Sequence, residues 1–160
     1  MEKIIIGIDP DIEKNGVAVL FRASKEISLH SLPFPQALAY IRSLAEKNDS
    51  LAVIVEAGWR NKSNFHLTPY DTKAQAAKKG VDQGRNHQRG IDMVEYLQYH
   101  GVTVVEMKPL PLMWGTGLTK KKISDNEIRR FMDIKKKRTN QEERDAALLA
   151  WVYAGLPMKA

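Results

Sequence analysis

Ile4-Ile5-Ile6-Gly7-Ile8-Asp9-Pro10 is an apolar run that ends on a carboxylate. The run reads as a central β-strand, from about Lys3 to Ile8. A charge in such a place is costly unless it is paired or bound to a metal. Asp9 therefore needs a reason, and the rest of the chain repeats the pattern. A second apolar strand, Leu51-Ala52-Val53-Ile54-Val55, ends in Glu56. An alanine-rich C-terminal helix carries Glu142 and Asp145, three apart and so on one face, with Leu149 and Val152 continuing that face. Three elements thus each deliver acid to a core or its edge. Oxygen donors of this kind suit Mg²⁺ or Mn²⁺. Alone, Glu142 could simply close a capping box with Thr139, and Asp145 could be a first-turn acid favoured by the helix dipole. Beside Asp9 and Glu56, a shared site is the stronger reading.

The chain outside these stretches alternates strands and helices. A turn at residues 11–16 leads to a second strand near Val17–Arg22, and a third lies near Glu26–Leu32. Short turns make these an antiparallel meander. Residues 36–47 have helical spacing, with Leu38, Ile41, Leu44 and Ala45 on one face. Residues 57–73 lose periodicity and read as a long polar and aromatic loop. Helical pattern resumes near Lys73, is interrupted at Gly80 and Gly84, and is clear from Gly90 to Tyr99. A fifth strand covers Val102–Met107, and a loop rich in proline and glycine follows to Gly117. Capping boxes Ser124/Glu127 and Thr139/Glu142 open the last two helices. The order βββαβαβαα predicts an α/β fold, a mixed five-stranded sheet flanked by helices. With 160 residues, one domain over 1–160 is expected.

Composition narrows the function classes. The absence of cysteine excludes disulfides, thiolate metal sites and a cysteine nucleophile. No apolar stretch approaches the ~20 residues of a membrane span, and the N-terminus enters a strand at once, so a cytoplasmic protein without membrane association is expected. Net charge is +6, with a pI of about 9.5. A basic surface around an acidic cluster suits a polyanionic substrate. Lys120-Lys121-Lys122 precedes a helix start, a phosphate-friendly position, and Lys135-Lys136-Lys137-Arg138 is a second run that reads equally well as solvated surface.

Residues 7–19, Gly7-Ile8-Asp9-Pro10-Asp11-Ile12-Glu13-Lys14-Asn15-Gly16-Val17-Ala18-Val19, resemble the opening of RuvC-type Holliday junction resolvases, a G-I-D-P-G strand, a turn, and a glycine opening the second strand. Glu56 resembles that family's second acid, and residues 142–150 resemble its D-x-x-D-A-L-A helix. Asp11 stands where the family has glycine, and Glu142 where it has aspartate. The resemblance implies an RNase H-like fold and a metal-dependent endonuclease of branched DNA, leaving 5′-phosphate ends. It implies two Mg²⁺ or Mn²⁺ ions, ~4 Å apart, held by Asp9, Glu56, Glu142 and Asp145. It also implies a functional lysine among residues 120–122, for which Lys121 is the candidate. Lys120 and Lys122 join Trp59, Arg60, Lys62, Phe65, Arg85 and Arg89 as candidate DNA-binding residues, with Trp59 and Phe65 as possible wedges between bases or else packed on the sheet. Residues 83–90 resemble the start of the family's dimer helix, so a homodimer is expected. Rival readings are an RNase H-like nuclease of other branched, RNA or hybrid substrates, and a non-catalytic DNA-binding relative. An actin-like kinase would need a second domain for which the chain has no room.

Overall fold

The computed structural model describes residues 2–62, 66–115 and 120–158. Five strands form one sheet: β1 (Ile4–Asp9), β2 (Asn15–Phe21), β3 (Glu26–Leu32), β4 (Leu51–Glu56) and β5 (Val104–Met107), in the order β3-β2-β1-β4-β5. Strands β1, β2 and β3 form the antiparallel meander, whereas β4 and β5 run parallel to β1 and to each other. The helices are α1 (Phe34–Lys47), α2 (Lys73–Tyr99), α3 (Asp125–Ile128) and α4 (Gln141–Tyr153). The mixed sheet flanked by helices is the α/β architecture expected from the sequence. Among the described residues no helix is long and apolar enough to cross a membrane.

Strand β1 is central and covered on both faces, which is why its sequence is continuously apolar rather than alternating. Ile4, Ile6 and Ile8 join Val53 and Val55 of β4 in a core closed by Ile41 of α1 and Met93 and Leu97 of α2. Ile5 joins Ala52 and Ile54 in the opposite core, closed by Ala146, Leu149 and Ala150 of α4. Side chains alternate along a strand, so Ile5, Gly7 and Asp9 all face α4. The same period puts Ala52, Ile54 and Glu56 on that side.

Helix α4 lies directly on the β1–β2 hairpin because two positions there have no side chain. A Cβ at Gly7 would stand 2.0 Å from the carbonyl oxygen of Ala146, and one at Gly16 would stand 2.1 Å from that of Glu142. Both obstacles are backbone, which cannot rotate aside. The small side chains of Ala146 and Ala150 complete the close approach.

The structure corrects three expectations. Helix α2 is continuous over 27 residues, uninterrupted at Gly80 and Gly84. Each helical glycine costs only ~1 kcal/mol relative to alanine. A capping box between Thr72 and Gln75 fixes the start, and Met93, Val94 and Leu97 bury the end. The cap of α4 is Asn140 with Glu143, one residue later than expected. Asparagine is the better N-cap, and the Thr139 hydroxyl instead donates to Asp125 Oδ1 at 2.5 Å. Helix α3 spans four residues, and Phe131 and Met132 lie in the turns beyond it.

Gly7→Ala and Gly16→Ala should each lower the melting temperature by roughly 10 °C or prevent folding, because overpacking against rigid backbone exceeds the ~1–3 kcal/mol that movable cores absorb. Gly80→Ala and Gly84→Ala, where a Cβ meets nothing within 4 Å, should be neutral or stabilising by up to ~1 kcal/mol each. Thermal unfolding followed by circular dichroism measures all four.

Candidate active site

Asp9 and Glu56 lie side by side at the carboxyl ends of two parallel strands. Ile8 pairs with Val55, and the acids are the next residues along. Across β2, Asp9 stands opposite Gly16, the position on which the Glu142 carbonyl rests. The first turn of α4 is thereby laid over Asp9, bringing Glu142 and then Asp145 above the strand ends. Glu143 is buried, caps the helix through the Asn140 amide and pairs with Lys136. Its neighbour Glu142 is therefore released from the capping role and left beside Asp9.

The carboxylates act on one another's charge. Burial, followed by repulsion from Glu56 and Asp145 and a smaller contribution from Glu142, raises the Asp9 carboxyl well above its ordinary range, against the opposing pull of Lys122. Burial and repulsion from Asp145 push Glu56 up to about 7, again opposed by Lys122. Asp145 is only 9% exposed and is held on both oxygens. Lys122 Nζ donates to Oδ2 at 2.5 Å, and Gln141 Nε2 donates to Oδ1 at 2.8 Å. Burial works against the Lys122 ammonium, but the bond to Asp145 and the fields of Asp9 and Glu56 outweigh it, so its pKa is raised.

Lys122, rather than Lys121, is the lysine that enters the cluster. Lys121 turns to Glu127 at 3.5 Å, and Lys120 is exposed. The Lys121 backbone is held by its bridge to Trp114, and the side chains at 121 and 122 go to different acids. Gln141 was not visible as a site residue in the sequence. Its only signal is its place four residues before Asp145 on a helix.

The donor set fits a hard divalent cation. Four carboxylates share the site with one ammonium, and the groups that come together offer oxygen alone. Among the described residues, no three acids or histidines converge into a ready cage. Lys122 supplies the positive charge that Asp145 otherwise lacks.

The flanking candidates have diverse surroundings. Trp59 is packed rather than presented: Nε1 donates to Glu106 Oε1 at 2.8 Å, and the ring lies against Gly90 and close to Pro10, where a Cβ on Gly90 would stand 2.4 Å from it. It does not project as a wedge. Phe65 lies outside the described residues. Arg60 is exposed and donates to the Glu106 carbonyl, and Lys62 is exposed. Arg85 is exposed in the middle of α2, not at its start. Arg89 stacks its guanidinium over Phe34 at 4.3 Å, toward α1. Asn86, within the stretch that resembles a dimer-helix start, instead clasps the turn after Asp9. Its Oδ1 accepts from the Ile12 amide at 2.9 Å, and its Nδ2 donates to Asp11 Oδ2 at 3.3 Å.

Because Glu56 has an ordinary pKa near 4.5 and about 7 in the fold, the folded chain holds a proton in that interval that the unfolded chain has lost. This contribution to stability is complete below 4.5 and disappears as pH rises through 7. Asp9 acts in the same direction. The metal-free protein should melt several degrees lower at pH 8 than at pH 5.5, at roughly 2–4 °C per kcal/mol. Glu56→Gln should flatten the dependence, and Mg²⁺ or Mn²⁺ should raise the melting temperature more at pH 8 than at pH 5.5. Calorimetric melts across that range, with and without metal, test this.

No protein-family model matches the sequence, and no curated protein matches it either. Among solved structures, the fold is similar to that of T. thermophilus RuvC in complex with Holliday junction substrate. The TM-score is 0.52 at 18% identity, covering 96% of this chain and 93% of that one. At this identity the likeness is one of architecture: the chain has a RuvC-like, RNase H-like fold.

Proposed function

We propose that the chain is a metal-dependent endonuclease that cuts four-way DNA junctions. The observation that carries this reading is the meeting of Asp9, Glu56, Glu142 and Asp145, from two adjacent strand ends and one helix, around Lys122 on a fold of this kind. Asp9, Glu56, Glu142 and Asp145 would hold two Mg²⁺ or Mn²⁺ ions. Bound there, such ions supply an activated water and a counter-charge for the leaving oxygen. The chain's own groups do the rest. Strands β1 and β4 fix the first two acids relative to each other. The Gly7 and Gly16 contacts fix the second two above them.

Lys122 is the group suited to meeting the substrate. It is a compact, movable ammonium whose partner Asp145 would be engaged once metal binds, leaving its charge for a phosphate oxygen. Exposed Lys120, Arg60, Lys62 and Arg85 would contribute phosphate contacts that give affinity without sequence information. A four-way junction has two-fold symmetry, so a homodimer with two such sites would suit paired cutting. Products with 5′-phosphate and 3′-hydroxyl ends are expected.

Cleavage of an immobile four-way junction, beside linear duplex, flap and RNA–DNA hybrid, in Mg²⁺ or Mn²⁺, tests the reading. Paired symmetric nicks in the junction are expected. Asp9→Asn and Asp145→Asn should each lose more than the ~10–100-fold that follows removal of an outer-shell partner. Lys122→Ala should slow cutting more than Lys121→Ala does. Equal cutting of every substrate would remove the junction assignment and leave a general nuclease. Junction binding with no cutting in either metal would leave a DNA-binding protein.

A further inference from the structure

Strands β1 and β4 set Asp9 beside Glu56, but the ladder between them stops one residue earlier, at Ile8 and Val55. The fine separation of the two carboxylates is set by what holds the chain just after each acid. Both exits meet the same stretch of α2, residues 86–90. After Asp9, the turn at residues 11–12 is clasped by Asn86. After Glu56, the Ala57 amide donates to the Met107 carbonyl at 2.7 Å, which extends the pairing with β5 by one residue. The chain then passes under α2, where a Cβ at Gly58 would stand 2.8 Å from His87 Nε2.

Trp59 links these pieces. Its ring fills the notch at Gly90, and Pro10, the residue after Asp9, borders the same notch. A Cβ at Gly90 would stand 2.4 Å from the ring and 3.0 Å from Pro10 Cγ. The indole Nε1 donates to Glu106 Oε1 at 2.8 Å, a bond to a charged acceptor that fixes the rotation of the ring. Glu106 stands on the sheet face opposite the acids. Its neighbours Val105 and Met107 pack with the α4 core and Val104 with the α2 core, so the alternation of the strand turns Glu106 toward α2. Its partner is the indole, and it takes no place among the four acids.

We infer that Trp59 is a positioning residue for the metal site: bonded to Glu106 and wedged between Gly90 and Pro10, it sets the separation of Asp9 and Glu56. The inference rests on the nuclease reading above for the presence of metal. Small divalent cations demand near-ideal ligand geometry. A site of this kind works only when its ligands are held to within about 0.5 Å by the groups behind them. The aromatic residue that follows the second acid thus serves the acids from behind.

Three variants test this. Trp59→Phe keeps a ring and removes the N–H, Glu106→Leu removes the acceptor, and Glu106→Gln keeps an oxygen in its place. Mn²⁺ affinity of the DNA-free protein at pH 8, read by electron paramagnetic resonance, is the primary measurement. Trp59→Phe and Glu106→Leu should each weaken it by about 10–100-fold, as loss of a group behind a metal ligand does. Glu106→Gln should stay close to wild type, and the double variant should lose no more than the worse single one, because both act through one bond. Junction binding in EDTA and the KM for the junction should be unchanged, whereas kcat should fall and recover as Mn²⁺ is raised. Unchanged Mn²⁺ affinity in Trp59→Phe and Glu106→Leu would overturn the inference. So would an equal loss in Glu106→Gln, or a loss of junction binding in EDTA with Mn²⁺ affinity intact, which would make Trp59 a DNA contact. The expected Mn²⁺ affinities in a protein that cuts no nucleic acid would support the inference and overturn the nuclease reading alone. A wild type that binds no Mn²⁺ would overturn both.

Discussion

Everything chemical in this molecule depends on a contact between backbones. Helix α4 rests on β1 and β2 where Gly7 and Gly16 leave no side chain between them. Sheets and helices ordinarily meet through interlocked side chains, which would hold α4 farther out. Removing that layer lowers the first turn of α4 onto the end of β1. Two acids on the helix then reach two acids on the strands. Arg144 fixes the arrangement from the side. Its Nε donates to the Ile123 carbonyl at 3.0 Å, and Nη1 donates to the Thr139 carbonyl at 2.8 Å. The segment bearing Lys122 is thereby attached to the same helix.

The price of that proximity is electrostatic. Carboxylates gathered at the edge of an apolar core repel one another and are poorly hydrated, so Asp9 and Glu56 hold protons well above their ordinary range. Lys122 relieves part of the repulsion with its single charge. Under the proposed function, a divalent cation at these carboxylates would relieve that repulsion. Perturbed carboxylates in one place are a common mark of a working site. Asp125 makes the useful contrast. Its carboxyl lies far below its ordinary range, because Arg129 and the Thr139 hydroxyl bond to the charged form. That acid is satisfied by its surroundings and serves only to brace the chain ahead of α4.

The sheet and the acids were legible in the sequence because one observation carried both. An apolar strand that ends in a carboxylate has its core and its exception in the same line, and Asp9 and Glu56 each follow that form. Period two then put them on one face. What could not be read is what depends on distant geometry. Adjacent lysines in a row are chemically alike, and only their placement beside α3 and α4 decides that Lys121 meets Glu127 and Lys122 meets Asp145. Trp59 was open between wedge and packing until Glu106 and Gly90 supplied a partner and a space for it. The cap of α4 moved by one residue because Thr139 found Asp125, fourteen positions earlier. The clasp made by Asn86 had no local signal, since both its partners are contributed by the turn after β1.

Helix α2 joins two regions of unequal support. Its last turns are anchored by Met93, Val94 and Leu97 in the core under β1. Most side chains from Lys73 to Arg85 are exposed, and two glycines interrupt the helix-forming residues there. Local opening costs least where few apolar contacts are lost. One continuous helix is thus two segments of unequal burial, a packed one and a capped but exposed one, and Asn86 sits where they meet. Few apolar contacts tie the outer segment to the core, so a change of sequence there reaches the rest of the protein only through the helix axis and the Asn86 clasp.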